Sequence, residues 1–298
     1  MPMHRRALLV ALMACAATAL RPAYASDKVN VVATFSILAD FVRNVGGDRV
    51  EVTALVGPGA DAHVYTPSPS DAKKIAAAKL VVVNGLGVEG WLPRLVKSSG
   101  GTATTLVASS GITPLRPGGG HHAEADPHAW QSVANAKIYV ANSRDALMTA
   151  DRDGAATYRS NAEQYLARLD ALDREVREAV AQIPPERRKV ISSHEAFGYF
   201  AAAYGIAFVA PQGVSTESEP SARDLATIIR QIRKENIPAV FLENISDPRL
   251  VERIAAETGA RIGGTLYSDS LTGEKGDAPT YIDMVRHNIR AVSSALKS

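Results

Sequence analysis

Short apolar runs alternate with amphipathic segments along almost the whole chain, and this alternation limits the fold more than any other feature. Four such runs occur in the first half, at residues 29–33, 50–56, 80–83 and 102–107. The pattern restarts in the second half, with runs at residues 189–192, 206–209, 239–242 and 260–266. The intervening segments carry apolar residues at helical spacing. Strands and helices that alternate in this way form βαβ units on a parallel sheet, so we predict an α/β protein with one parallel sheet in each half.

A single long amphipathic segment separates the two halves. Apolar residues recur at helical spacing over residues 155–182, and Pro184 and Pro185 follow. A helix of that length would reach roughly 40 Å, enough to cross a whole domain. We therefore predict two lobes joined by one long backbone helix. The expected division is a leader at 1–25, an N-terminal lobe at 26–154, a linking helix at 155–183 and a C-terminal lobe at 184–298.

The first 25 residues have the pattern of a cleavable signal peptide. A basic start at Arg5 and Arg6 precedes an apolar run at residues 7–20, and Ala23-Tyr24-Ala25 fits a cleavage site before Ser26. The apolar run is too short to span a bilayer. We expect export to the periplasm.

Cys15 is the only cysteine and leaves an alternative open. The segment Leu12-Met13-Ala14-Cys15 loosely resembles a lipoprotein box, which would place a lipidated Cys15 at the new N-terminus. Met13 fits that box poorly, so a soluble product is favoured. In either case the mature fold has no internal disulfide and depends on its apolar core.

The charge of the chain argues against nucleic acid as a partner. The formal net charge is +2 for the full sequence, and removal of Arg5, Arg6 and Arg21 with the leader leaves −1. A protein without a basic excess lacks the electrostatic attraction that nucleic-acid binding requires.

Histidines and acidic residues are concentrated between Gly118 and Trp130. Three glycines precede His121 and His122, and Pro127 fixes the backbone before His128. A histidine held in this way is suited to binding a metal ion. The alternative is a solvated loop, or a helix start with Asp126 as its cap.

Four candidate ligands are predicted to meet at one place. His63 and His128 lie in loops of the first half, and His194 and Asp269 follow strands of the second. Ligands of parallel sheets bind beyond the carboxyl ends of the strands, so two facing lobes would bring these side chains together. Three imidazoles and one carboxylate suit tetrahedral zinc, and suit manganese or ferrous iron less well. A shell filled by protein leaves no position for a water nucleophile, which favours binding over catalysis.

The chain resembles the solute-binding proteins of zinc and manganese ABC transporters (the ZnuA/TroA-like, cluster A-I family). The resemblance covers nearly the whole mature chain and rests on five segments in order: residues 59–71, 84–91, Asp126-Pro127-His128-Ala129-Trp130, 193–200 and Tyr267-Ser268-Asp269-Ser270-Leu271. It implies two α/β lobes with limited hinge motion, and a metal ion between them bound by His63, His128, His194 and Asp269. It also implies a membrane permease as partner, and we expect the receptor to act as a monomer.

Two departures from the family pattern bear on the metal. Manganese-binding members often carry glutamate at the third ligand position, where this chain has His194, and more nitrogen favours zinc. Zinc-uptake members commonly have a long His- and acid-rich loop before the second ligand. Here it is reduced to a short segment in which His121 and His122 are candidates for metal capture. We expect Zn²⁺ as the bound ion, with Mn²⁺ or Fe²⁺ as the alternative.

The sequence also offers residues for two rival functions. An exported metallohydrolase would need an open coordination position and a carboxylate base, for which Glu195 is the only serious candidate. A surface adhesin would be favoured by a lipid on Cys15. Three acidic residues, Glu217, Glu219 and Glu243, are weaker candidates for the lining of the cleft. His287 lies on the last helix, where we expect it to be exposed and not to bind metal.

Overall fold

The computed structural model describes residues 28–116 and 125–297. The first half contains β1 (Val29–Phe35), α1 (Ser36–Gly46), β2 (Val50–Val56), α2 (Pro69–Ala77), β3 (Leu80–Val83), α3 (Leu92–Ser99), β4 (Thr104–Val107) and α4 (Val133–Ala150). The long helix α5 (Ala155–Ala181) follows. The second half contains β5 (Lys189–Ile191), α6 (Gly198–Tyr204), β6 (Ala207–Val209), α7 (Ala222–Glu235), β7 (Ala239–Glu243), α8 (Arg249–Thr258), β8 (Arg261–Leu266) and α9 (Tyr281–Lys297).

Each half forms its own four-stranded parallel sheet, and the two sheets have the same topology. The strand order is β2-β1-β3-β4 in the first sheet and β6-β5-β7-β8 in the second. In both sheets, the second strand along the chain lies on one side of the first strand, and the third and fourth strands lie on its other side. The carboxyl ends on either side of that reversal border a crevice, where ligands of α/β proteins bind. The predicted pair of parallel sheets is confirmed.

Helices cover both faces of each sheet. The strand β3 is buried at all four positions, as expected for a parallel strand with both faces covered. The outer faces pack against α2 and α3 in the first lobe and against α7 and α8 in the second, forming two separate apolar clusters. The inner faces share one much larger cluster, which runs from β1 through α1, α4, α5 and α9 to β8. The lobes are therefore joined by a continuous apolar core.

The helix α5 is the structural link between the lobes. Its 27 residues correspond to roughly 40 Å. It packs on α1 and α4 of the first lobe and on α6 and α9 of the second. Its buried side chains recur at helical spacing: Tyr158, Ala162, Tyr165, Leu169, Leu172, Val176 and Val180. The predicted backbone helix is confirmed.

An aromatic and polar junction fixes α1 against α5 and α9. The ring of Phe41 lies 4.8 Å from that of Tyr281 and 6.5 Å from that of Tyr165. The neighbouring Asp40 carboxylate accepts hydrogen bonds from the Tyr281 backbone N–H (3.0 Å) and the Tyr165 hydroxyl (3.2 Å). Because burial is its largest influence, the pKa of Asp40 is raised. These contacts tie both lobes to the long helix.

Two local features differ from the sequence-based expectation. The helix α3 was not predicted; it is only eight residues long, and Leu95 is its one buried side chain. The strand β1 extends to Phe35, two residues beyond the apolar run at residues 29–33. In the part of the chain that the structure describes, no helix is both long and apolar enough to cross a membrane.

Candidate metal centre

The four predicted ligand residues converge at the junction of the two lobes. His63 lies in the loop between β2 and α2, and His128 directly precedes a short 3₁₀ turn before α4. His194 follows β5, and Asp269 follows β8. All four side chains are buried, with exposures of 6% or less. One donor atom from each lies within 4.8 Å of the others.

The spacing between the donor atoms matches a small metal ion. The Nε2 atom of His128 lies 3.2 Å from Nε2 of His63 and 3.3 Å from Nε2 of His194. The Asp269 carboxylate oxygens lie 3.2 Å from Nε2 of His194, 3.5 Å from that of His128 and 3.6 Å from that of His63. Ligands at about 2.0–2.1 Å from a tetrahedral ion are separated by about 3.3–3.4 Å. The five distances between donor atoms given above, 3.2–3.6 Å, bracket this value.

The Asp269 carboxylate is the clearest sign that a cation belongs in the cluster. The side chain is fully buried, and neither oxygen has a hydrogen-bond donor within residues 28–116 and 125–297. A buried carboxylate without donors is strongly unfavourable unless a cation balances it. The two oxygens also point differently: Oδ2 lies nearest His63 and His194, whereas Oδ1 lies nearest His128. Asp269 thus offers the cluster either one oxygen or two.

Two further buried carboxylates orient the imidazoles. The Asp126 Oδ1 atom lies 2.7 Å from Nδ1 of His128 and accepts the backbone N–H of the same residue at 2.9 Å. The Glu243 Oε2 atom lies 2.7 Å from Nδ1 of His194, and its Oε1 atom accepts the backbone N–H of Ser193 and of His194. A carboxylate on one ring nitrogen fixes the tautomer, so the other nitrogen, Nε2, presents its lone pair to the cluster.

These orienting roles were not predicted from the sequence. Asp126 was interpreted as a loop residue or a helix cap, and Glu243 only as an acid near the cleft. The spacing Asp126-x-His128 was a usable signal, since a side chain two residues earlier can reach the backbone N–H. For Glu243 the signal lies in the sheet: Ile191 pairs with Val240 across β5 and β7, which brings Glu243 level with His194.

The buried imidazoles and carboxylates of the cluster shift one another's pKa values. Burial alone would lower the pKa of His194, but the carboxylates of Glu243 and Asp269 outweigh it and hold the pKa well above its usual value. Burial alone would raise the pKa of Asp269, but His128 and His194 outweigh it and hold that pKa well below its usual value. The buried carboxylates therefore favour positive charge among the three imidazoles. A divalent cation supplies that charge when it binds.

The other candidate residues do not join the cluster. Glu195 is exposed, and the carboxylate beside His194 is that of Glu243. Glu217 and Glu219 are exposed on a loop of the second lobe. His287 was expected to be exposed but is half-buried, with Nε2 3.0 Å from the Thr265 carbonyl oxygen, because α9 packs against β8. His121 and His122 lie outside the described residues.

Replacing Glu243 by glutamine is expected to weaken metal binding about 10- to 100-fold, the usual effect of removing a carboxylate that orients a ligating histidine. The amide nitrogen of glutamine cannot accept the Nδ1–H of His194, so the ring loses its fixed orientation. Titration calorimetry with Zn²⁺ measures the change. Glu195→Gln is the matched control, since Glu195 adjoins His194 in sequence but is exposed. Equal affinity of Glu243→Gln and the unmodified protein would contradict the assigned role.

Two α/β lobes on a common backbone helix, with a buried ligand cluster between them, define a solute-binding protein. The sequence profile of the family described as "Zinc-uptake complex component A periplasmic" matches residues 31–295. The chain belongs to this family, whose members are substrate-binding components of transporters and not enzymes.

Several characterised relatives span nearly the whole chain. The iron-binding protein YfeA of Yersinia pestis is 37% identical over 91% of this chain and 88% of its own length. The manganese-binding lipoprotein MntA of Halalkalibacterium halodurans is 34% identical over 97% of this chain and 96% of its own length. The periplasmic zinc-binding protein TroA of Treponema pallidum has a TM-score of 0.86 and 32% identity, covering 91% of this chain and 100% of that structure. The Mn-bound periplasmic metal-binding protein of Candidatus Liberibacter asiaticus has a TM-score of 0.81 and 31% identity, covering 89% of this chain and 98% of that structure.

Proposed function

We propose that this protein captures a divalent transition-metal ion in the periplasm and delivers it to the membrane permease of an ABC importer. The observation that carries the proposal is the buried Asp269 carboxylate, which lacks a hydrogen-bond donor in the described residues and is surrounded by the Nε2 atoms of His63, His128 and His194. The names of YfeA, MntA and TroA, each a metal-binding protein, support the same function.

The structure offers an ion-binding site without the parts of a hydrolase. Four protein groups face the space between them, so an ion there has no free position that water must fill. Glu195, the sequence-based candidate for a catalytic base, is exposed, whereas the Glu243 carboxylate is held by two backbone N–H groups and His194. A closed, buried shell holds an ion for transfer and does not activate water.

Zinc is the ion that we propose binds most tightly. Three imidazoles and one carboxylate at tetrahedral spacing are a common zinc shell, and the Irving–Williams order places zinc above manganese and ferrous iron for such a site. A second candidate cargo is manganese or ferrous iron. The second Asp269 oxygen favours it, since bidentate carboxylate would raise the coordination number and the share of oxygen ligands. The names of YfeA and MntA support it too.

A competition experiment tests the ion preference. The metal-free protein is dialysed against equal concentrations of Zn²⁺ and Mn²⁺, and the bound metal is measured by mass spectrometry after gel filtration. We expect one equivalent of zinc and almost no manganese, because the site follows the Irving–Williams order. Retention of manganese at equal concentration would overturn the zinc assignment. Failure to bind either ion would overturn the function itself.

The physiological cargo is a separate question from the tightest ligand. Metal availability in the compartment also decides which ion a site carries. Metal analysis of protein purified from the periplasm, without chelator or added metal, identifies the ion that is delivered. Zinc in that preparation supports the first candidate, and manganese or iron supports the second.

The mode of export follows from the N-terminal leader, which lies outside the described residues. We propose cleavage before Ser26 and release of a monomeric receptor into the periplasm. The lipoprotein name of MntA supports the alternative, a lipid anchor on Cys15. The intact mass of the mature protein separates the two, because only the anchored form retains Cys15 and carries the mass of its acyl chains.

Neither residue 121 nor residue 122 is needed for the four-ligand site, and metal capture by His121 and His122 remains a prediction.

A further inference from the structure

The three histidines of the cluster are not held equally. His128 and His194 each have a buried carboxylate at Nδ1, from Asp126 and Glu243. Within residues 28–116 and 125–297, the Nδ1 atom of His63 has no such partner. Because a carboxylate at Nδ1 restricts ring rotation, His63 is the imidazole with the weakest restraint.

The backbone around His63 is held in a different way. The Asp61 Oδ1 atom accepts the His63 backbone N–H at 2.8 Å. The other carboxylate oxygen, Oδ2, accepts a hydrogen bond from the Thr216 hydroxyl at 2.6 Å. Thr216 belongs to the second lobe, in the segment between β6 and α7. Asp61 therefore connects the His63 loop of one lobe to a loop of the other.

The loop has other anchors, but they do not hold the His63 ring. The Gly59 backbone N–H donates to the Leu271 carbonyl oxygen at 3.0 Å, and the Trp91 indole N–H donates to the Ala62 carbonyl oxygen at 2.8 Å. Both contacts fix the path of the backbone next to the ligand. Asp61 lies between these two points and adds the only hydrogen bond to the backbone N–H of His63 in the described residues.

An open groove lies on this side of the cluster. It has a volume of about 640 Å³ and is lined by Asp61 and Val64 from the first lobe and by Ser193, Gln212, Thr216 and Arg249 from the second. Ser193 directly precedes the ligand His194, so the groove approaches the cluster between the lobes. The segment containing Thr216 also passes Gly90, where an added β-carbon would lie 3.9 Å from Glu217 Oε1.

We propose that Asp61 is a positioning residue for His63, and that the Asp61–Thr216 hydrogen bond keeps His63 in the cluster and blocks release of the ion through this groove. His63 is then the first ligand to detach, while the rings fixed by Asp126 and Glu243 hold the ion until it leaves. This inference rests on the proposed function. It adds the order in which the ligands separate and the contact that controls the first step.

Replacing Thr216 by valine tests the inference, because valine keeps the shape of threonine but removes the hydroxyl. We expect Zn²⁺ to dissociate roughly tenfold faster into excess chelator, the effect of losing one hydrogen bond to a charged, half-buried acceptor. Thr216→Ser keeps the hydroxyl and is expected to release zinc at the unmodified rate. Thr227→Val, an exposed position on α7, is the matched control and is expected to have no effect. The absorption spectrum of the Co²⁺ form should be the same in all four proteins, since the ligands are unchanged.

A double-mutant cycle with His63→Ala separates this role from general loosening of the lobes. Three remaining protein ligands still suffice for a measurable zinc site. If Asp61 and Thr216 act through His63, then Thr216→Val has no further effect on the release rate in the His63→Ala protein. An equal acceleration in both backgrounds would overturn the inference, as would an unchanged rate in Thr216→Val alone. Failure of the unmodified protein to bind zinc would instead overturn the proposed function.

Discussion

Replacing Asp269 by asparagine is expected to lower the affinity for Zn²⁺ by roughly a thousandfold, because removing one partner of a buried charge pair costs about 3–5 kcal/mol. Asparagine nearly preserves the shape of the side chain but removes the carboxylate that, among the described residues, faces all three imidazoles. Competition with a chelator of known affinity measures the change, since the unmodified protein is expected to bind too tightly for direct titration.

Asp277→Asn is the matched control for this experiment. Asp277 lies in the same loop region after β8, but it is exposed and is not part of the cluster. Its replacement should leave the affinity for Zn²⁺ unchanged. If Asp269→Asn bound zinc within about threefold of the unmodified protein, Asp269 would not be a ligand, and the four-residue site would be wrong.

Removing the metal is expected to lower the melting temperature by about 10 °C. A ligand present at 1,000 times its Kd stabilises the folded state by about 4 kcal/mol, and each kcal/mol shifts the melting temperature of a protein of this size by about 2–4 °C. Metal bound between the lobes also offsets the unbalanced charge of Asp269. Calorimetry of the zinc-loaded protein, before and after chelation, measures the shift.

The same measurement on Asp269→Asn locates the source of the stabilisation. That variant binds zinc poorly, so its melting temperature should change by less than about 2 °C on chelation. An equal shift in the variant and the unmodified protein would place the stabilising ion elsewhere. No shift in the unmodified protein would argue that no ion binds the folded state more tightly than the unfolded chain.

The two sheets could be predicted from the apolar pattern, and the meeting of the four side chains from that pattern together with the family resemblance. Buried strands such as β3 appear in the sequence as continuous apolar runs. The helix α5 appears as a long helical repeat that two prolines follow. Once the strands are taken as parallel, their carboxyl ends share an edge. Residues that directly follow strands, such as His194 and Asp269, must then lie at that edge.

The contacts that hold the histidines in place could not be predicted, because they depend on strand order and on how the lobes pack. Glu243 reaches His194 only because β5 and β7 are neighbours in register, and the order β6-β5-β7-β8 cannot be read from the chain. The Asp61–Thr216 hydrogen bond depends on the relative position of two lobes, and no pattern within either half specifies it. The short helix α3 was missed because its eight residues make only about two turns, too few to establish a helical repeat.

The shared apolar core has a consequence for how the receptor works. One continuous cluster, crossed by α5, joins the inner faces of both sheets, so large separation of the lobes would expose much of it. Ion release is therefore expected to depend on local contacts at the cleft, and less on wide opening. The weakly restrained His63 and the Asp61–Thr216 contact are such local features.

The most direct test is a crystal structure of the zinc-loaded protein with anomalous data on both sides of the zinc absorption edge. We expect one strong zinc peak at the junction of the lobes, about 2.0–2.2 Å from Nε2 of His63, His128 and His194 and from a carboxylate oxygen of Asp269. A peak bound by other residues, or an ion in this place that lacks any of these four ligands, would contradict the assignment.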